Sequence, residues 1–161
     1  MAMNETGNKE YIQTTLDKLI KLIATGFYTG FVPVAPGTAA SILALIIYLL
    51  LPENHALYWM ILIVLIIGGT IVSGEAEKMF KEKDSSCIVI DEICGYMLTM
   101  AFLPKNLHLA IIGFFLFRTL DIIKPSFVKE VEKLQGGIGI MLDDIVSGMI
   151  CSLVLHIVHW I

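Results

Sequence analysis

The sequence predicts an all-α fold: a membrane-embedded bundle of about five apolar helices, preceded by an N-terminal amphipathic helix. Three observations carry that expectation. Hydrophobic residues make up 57% of the chain and charged residues 16%, against about 45–50% and 25% in ordinary soluble domains. The apolar residues gather into five segments, each closed by a polar or proline-bearing break. If all five cross a bilayer with the N-terminus inside, the basic residues fall on one side and Lys105 alone on the other, as the positive-inside rule requires. A soluble helical bundle with the same segments as its core is the rival arrangement.

At 161 residues the chain suits a single domain, residues 1–161, with the polar stretch 1–10 expected as a flexible tail. Residues 11–25 place Ile12, Leu16, Leu19, Ile20 and Ile23 on one helical face and Asp17, Lys18 and Lys21 elsewhere. That is an amphipathic helix, lying at an interface or packed on the bundle. Residues 26–38, with Pro33, Pro36 and three glycines, form a structured loop. The apolar segments are 39–51, 57–72, 93–103, 107–117 and 145–161. Several are shorter than the ~20 residues of a full span, so part-way hairpins or a locally thinned bilayer belong to the expectation.

A net charge of −4 without a basic run argues against nucleic acid as a partner. The three cysteines, Cys87, Cys94 and Cys151, have no metal spacing and read as small buried apolar residues in a reducing setting. The four histidines share no spacing with each other or with the acids and read as interfacial.

The chemistry concentrates in two acid pairs. Asp91-Glu92 and Asp143-Asp144 each touch the start of an apolar segment, and an ionisable group within a span costs roughly 2.5–3.5 kcal/mol on insertion scales. Acids in a first helical turn complement the macrodipole, which explains one acid better than two. In the topology above, both pairs, Asp121, the 26–38 loop and the later glycines share the cytoplasmic face. Two acid pairs at one membrane surface suggest a bound divalent cation, and Mg²⁺ prefers carboxylates, waters and substrate phosphate.

Three further elements fit a phosphate. Gly136-Gly137, in the glycine run before Asp143, read as a loop whose backbone can approach an anion closely. Arg118, Asp121 and Lys124 recur at three-residue spacing and, on a helix, share a face. They offer one more carboxylate and two cations. The plainer alternative is an Arg118–Asp121 pair with Lys124 snorkelling. Gly37-Thr38 ends the loop where a helix begins, with Thr38 a natural N-cap and free N–H groups available to phosphate.

Together these blocks resemble the phosphatidylglycerophosphatase A family, a group of bacterial membrane lipid phosphatases. The resemblance covers most of residues 26–150 and rests on four blocks in order: Gly26…Gly30…Pro33-Val34-Ala35-Pro36-Gly37-Thr38; Ile90-Asp91-Glu92…Gly95; Phe117-Arg118…Asp121…Lys124-Pro125; and Gly136-Gly137-Ile138-Gly139-Ile140-Met141-Leu142-Asp143-Asp144…Gly148. Ala40-Ser41, Gln135 and Ser147 depart from the family's usual residues, and Gln135 stands where a histidine is frequent.

The resemblance implies Mg²⁺-dependent hydrolysis of phosphatidylglycerol phosphate to phosphatidylglycerol and inorganic phosphate, in phospholipid biosynthesis. It also implies an integral protein of the bacterial inner (cytoplasmic) membrane with its active site facing the cytoplasm. On that reading Asp91, Glu92, Asp143 and Asp144 are metal ligands or water-orienting bases. Asp121 is an auxiliary ligand or general base, and Arg118 and Lys124 grip the phosphate with the backbone of Gly37, Thr38, Gly136 and Gly137. One metal ion or two, and water or a carboxylate as nucleophile, stay open. Other classes are a non-catalytic membrane scaffold and a small cation transporter, which would carry its acids near mid-span. The motif run of a CDP-alcohol phosphotransferase is missing.

Overall fold

The computed structural model describes residues 5–82, 85–124 and 134–160. Among them every regular element is helical: α1 Glu5–Ala24, a 3₁₀ turn Thr29–Phe31, α2 Pro36–Leu50, α3 His55–Phe80, α4 Ile90–Thr99, α5 Leu107–Ile123 and α6 Gly136–Trp160.

The amphipathic pattern of residues 11–25 forms the C-terminal part of α1. Its apolar stripe faces outward: Ile12, Leu16, Leu19 and Ile23 are all exposed, the arrangement of a helix lying in an interface rather than one buried on the bundle. The five apolar segments fall on α2 to α6, with corrected bounds. α3 runs past the predicted break at Glu75 because its last turns carry polar residues that solvate, with Lys78 paired to Glu75 at 2.7 Å. α4 stops at Thr99, ahead of the left-handed Phe102 (φ 63°) and Pro104.

The largest correction is α6. It begins at Gly136, so the glycine run is the first turns of a helix rather than a loop, and Asp143-Asp144 lie inside the helix. Glycine costs a helix about 1 kcal/mol relative to alanine. The compensation is proximity: a β-carbon on Gly137 would overlap the Thr70 carbonyl of α3 and sit 2.8 Å from the Gly74 nitrogen.

Length and apolar composition qualify α3 and α6 to cross a membrane, while α2 is apolar but shorter. Only 17% of the apolar window of α3 is buried, and Met60, Val64, Ile67 and Ile71 face outward. A soluble core helix would hide that surface; a lipid-facing helix shows it. α4, ten residues and so about 15 Å long, is too short to cross and is enclosed by α2, α3, α5 and α6. The core closes around it, with Tyr96, Met97, Met100, Phe117 and Met141 almost wholly buried. The Tyr96 hydroxyl donates to the Ala110 carbonyl at 2.9 Å, which satisfies its polar tip. Cys94 and Cys151 are buried thiols, as expected, and Cys87 is half-buried.

Candidate active site

A glycine crossing builds the site. α4 and α6 meet where a β-carbon on Gly148 would overlap the Gly95 carbonyl, and one on Gly95 would lie 2.7 Å from the Asp144 carbonyl and the Phe117 ring. Asp91 stands one turn before Gly95, and Asp144 one turn before Gly148. Residues four apart share a helix face, so two backbones in contact at the glycines set the two acids against each other a turn away. α5 brings Asp121 to the same place from its last turn.

Carboxylate oxygens of Asp91, Glu92 and Asp144 lie within 4.8 Å of one another, and so do those of Asp121, Asp143 and Asp144. All five predicted acids therefore form one cluster, with Asp144 common to both trios. Asp91, Asp121, Asp143 and Asp144 are no more than 9% exposed. The two predicted cations are there as well. Arg118 Nη1 is 2.6 Å from Asp121 Oδ2, an ion pair without hydrogen-bond alignment, since Nε and Nη1 of Arg118 donate to no described residue. Lys124 Nζ reaches across from the C-terminus of α5 to Asp143 Oδ2 at 2.7 Å. The intrahelical Arg118–Asp121 pair thus exists, whereas Lys124 bridges to α6 rather than snorkelling.

Five carboxylates, four of them buried and Glu92 half-buried, against two cations leave an excess of negative charge that burial makes costly. Asp91 Oδ1, Glu92 Oε2 and Asp144 Oδ1 are buried with no hydrogen-bond partner among the described residues. The Asp91 carboxyl is held well above the ordinary carboxylate range, first by burial and then by the charges of Glu92 and Asp144. Burial likewise raises Glu92. Oxygen donors of this kind, close together and short of positive charge, can hold a hard divalent cation.

The start of α2 completes one wall. A β-carbon on Gly37 would overlap the Glu92 carboxylate and stand 3.1 Å from Arg118 Nη2, so Gly37 lies against the cluster. Thr38 is not the N-cap: Ala35, left-handed at φ 53°, occupies that position and Pro36 follows it inside the helix. The Thr38 N–H is spent on the Ala35 carbonyl at 3.0 Å. Gly136 and Gly137 stand two turns before Asp143, and Gly137 is occupied in packing against α3. Pro125, part of the third motif block, lies outside the described residues.

Ser147 enters the sequence reading only as a departure from the family's usual residues, with no role assigned. It is 1% exposed, lies one turn beyond Asp143, and its Oγ has no partner among the described residues. Its i+4 spacing from Asp143 was the available signal.

The sequence model of phosphatidylglycerophosphatase A matches residues 22–159. A Bacteroides thetaiotaomicron protein named "Putative phosphatidylinositol-3-phosphatase" is 36% identical over 150 residues, covering 87% of this chain and 93% of that protein. The phosphatidylglycerophosphatase A of Escherichia coli K12 is 35% identical, over 86% of this chain and 84% of its own. That of Haemophilus influenzae is 30% identical, over 96% and 98%. No solved structure matches the chain.

Proposed function

Because the chain belongs to the phosphatidylglycerophosphatase A family, and is a lipid phosphatase and phosphoric monoester hydrolase, we propose that its substrate is phosphatidylglycerol phosphate, cleaved to phosphatidylglycerol and inorganic phosphate in phospholipid biosynthesis. The observation that carries this reading is the cluster of five carboxylates with two cations, buried at one end of an apolar bundle. The scaffold and transporter alternatives lapse with family membership.

Phosphate-monoester hydrolysis is among the slowest uncatalysed reactions, with enzymes supplying up to about 10²¹-fold. Positioning and neutralisation of charge are what such a site must provide. Asp91, Glu92 and Asp144, with Asp143 and Asp121 beside them, would hold Mg²⁺; bound there, it supplies charge neutralisation for the phosphoryl oxygens and the leaving alkoxide. Arg118, with Nε and Nη1 unengaged in hydrogen bonds, grips a phosphoryl oxygen in a fork geometry that lysine cannot copy. Lys124 contributes a point charge from the α6 side. Gly37 at the start of α2 lets the phosphate approach the helix N-terminus, where backbone N–H groups favour an anion. Asp121, its Oδ2 2.6 Å from Arg118, would serve as the general base if water is the nucleophile.

The membrane supports the substrate's other half. Phe27, Tyr28 and Val34, in the segment that leads into Gly37, are exposed apolar side chains, a rim suited to acyl chains. The lysine and arginine asymmetry supports a position for this end of the bundle at the cytoplasmic face of the inner membrane.

A second reading comes from the Bacteroides relative, whose name points to phosphatidylinositol 3-phosphate. Both lipids present a phosphate monoester on a polyol head group. Phosphate release from each lipid in mixed micelles, by purified protein with Mg²⁺, separates them. We expect faster turnover of phosphatidylglycerol phosphate. Faster turnover of the inositol lipid would replace the first reading with the second.

A further inference from the structure

A cavity lies at the opposite end of α4 from the carboxylates. Its volume is about 330 Å³, and its lining includes Tyr48, Glu53, Tyr58, Met100, Phe102 and Lys105. That volume is in the range of small-ligand sites, roughly 300–1,000 Å³. Met100 is nine residues beyond Asp91, so about 14 Å of helix separates this cavity from the carboxylates. No residue that lines it belongs to the acid cluster.

Two observations point to a ligand. Tyr48 is only 5% exposed, yet its hydroxyl has no hydrogen-bond partner among the described residues. Its ring stands edge-on to Tyr58, with centroids 6.1 Å apart, but the Tyr58 hydroxyl donates to the Met97 carbonyl and is not offered to Tyr48. A buried hydroxyl without a partner is destabilising. Lys105 Nζ donates to the Leu51 carbonyl, which fixes the ammonium at the cavity and leaves further N–H groups, since an ammonium carries three donors. Glu53 supplies an exposed carboxylate at the rim.

A phenol and an ammonium beside a carboxylate complement a phosphate flanked by a cation. The surroundings are those of a lipid boundary. Leu50 is 79% and Phe102 66% exposed, and Phe102 packs at a tilt against Trp59, 4.4 Å between centroids, tryptophan being enriched at membrane–water interfaces. We propose that this cavity binds the head group of a zwitterionic phospholipid: its phosphate accepts from Tyr48 and Lys105, and its ammonium meets Glu53.

Native mass spectrometry of the detergent-solubilised protein, offered equal amounts of phosphatidylethanolamine and phosphatidylglycerol, tests the site. Retained phosphatidylethanolamine should exceed phosphatidylglycerol, and Tyr48→Phe and Glu53→Gln should each weaken that retention about fivefold, the weight of one hydrogen bond. Tyr48→Phe deletes only the unpartnered hydroxyl, so the variant should melt no lower than the parent without lipid, and its phosphate release should be unchanged. Equal retention in the parent and Tyr48→Phe overturns the site. A preference for phosphatidylglycerol overturns its zwitterionic character. Displacement of the lipid by O-phosphoethanolamine at equal concentration overturns the lipid as its source. None of these outcomes depends on which lipid the carboxylate site hydrolyses.

Discussion

The two carboxylate trios share Asp144 but balance their charge differently. Around Asp121, Asp143 and Asp144 the chain provides its own cations, Arg118 at 2.6 Å and Lys124 at 2.7 Å. Asp91 and Glu92 form no ion pair among the described residues, and in their trio with Asp144 each acid keeps a buried oxygen without a hydrogen bond. Removing positive charge from a buried cluster this close is costly. On the proposed function this difference would divide the labour: the α4 side would be left to an external cation, and the α5 side would bring its own cations, Arg118 and Lys124, to the phosphate.

The substitution that strikes both halves should cost most. Asp144→Asn removes the shared carboxylate, and phosphate release should fall by about 10³-fold or more, with helical circular dichroism retained. Next come the two halves taken separately. Glu92→Gln should cost on the order of 10²-fold at low Mg²⁺ and recover part of that as Mg²⁺ is raised, whereas Asp121→Asn should lower turnover without shifting the Mg²⁺ requirement. Equal shifts in both variants would erase the distinction between the trios. Arg118→Lys keeps the charge and loses the fork; KM for the lipid should rise roughly tenfold with a smaller change in kcat.

The smallest effects concern the scaffold. Gly95→Ala places a methyl 2.7 Å from the Asp144 carbonyl, an overpacking worth about 1–3 kcal/mol, and should lower the melting temperature in detergent and activity together. Gly136→Ala meets open space at φ +70° and should cost only about 1–2 kcal/mol of backbone strain, with turnover preserved.

The same contrast explains what the sequence could reveal. The acids were legible because a charge beside an apolar run is costly and so needs a reason. Arg118 and Asp121 were legible as an i,i+3 pair because both lie on one helix. The Lys124–Asp143 bridge was not, since it joins two helices through a segment with no periodic pattern. The glycines misled for a definite reason. Glycine signals close approach but not what approaches: at Gly137 it is α3, and at Gly95 it is Gly148, 53 positions along the chain. The start of α6 was hidden because glycine and aspartate are poor helix formers, and tertiary packing overrides that preference. At α2 the capping preference for threonine pointed to Thr38, while Pro36, favoured at the first helical position, carried the better signal.

The central claim, that the carboxylate cluster serves a lipid phosphatase by holding a divalent cation through Asp144, is tested most directly by one titration. Phosphate release from phosphatidylglycerol phosphate would be followed against Mg²⁺, from EDTA upward, for the parent and Asp144→Asn. The parent should be inactive in EDTA and rise to saturation, and the folded variant should stay flat. A folded Asp144→Asn that kept turnover within about twofold, or a parent indifferent to EDTA, would contradict the account.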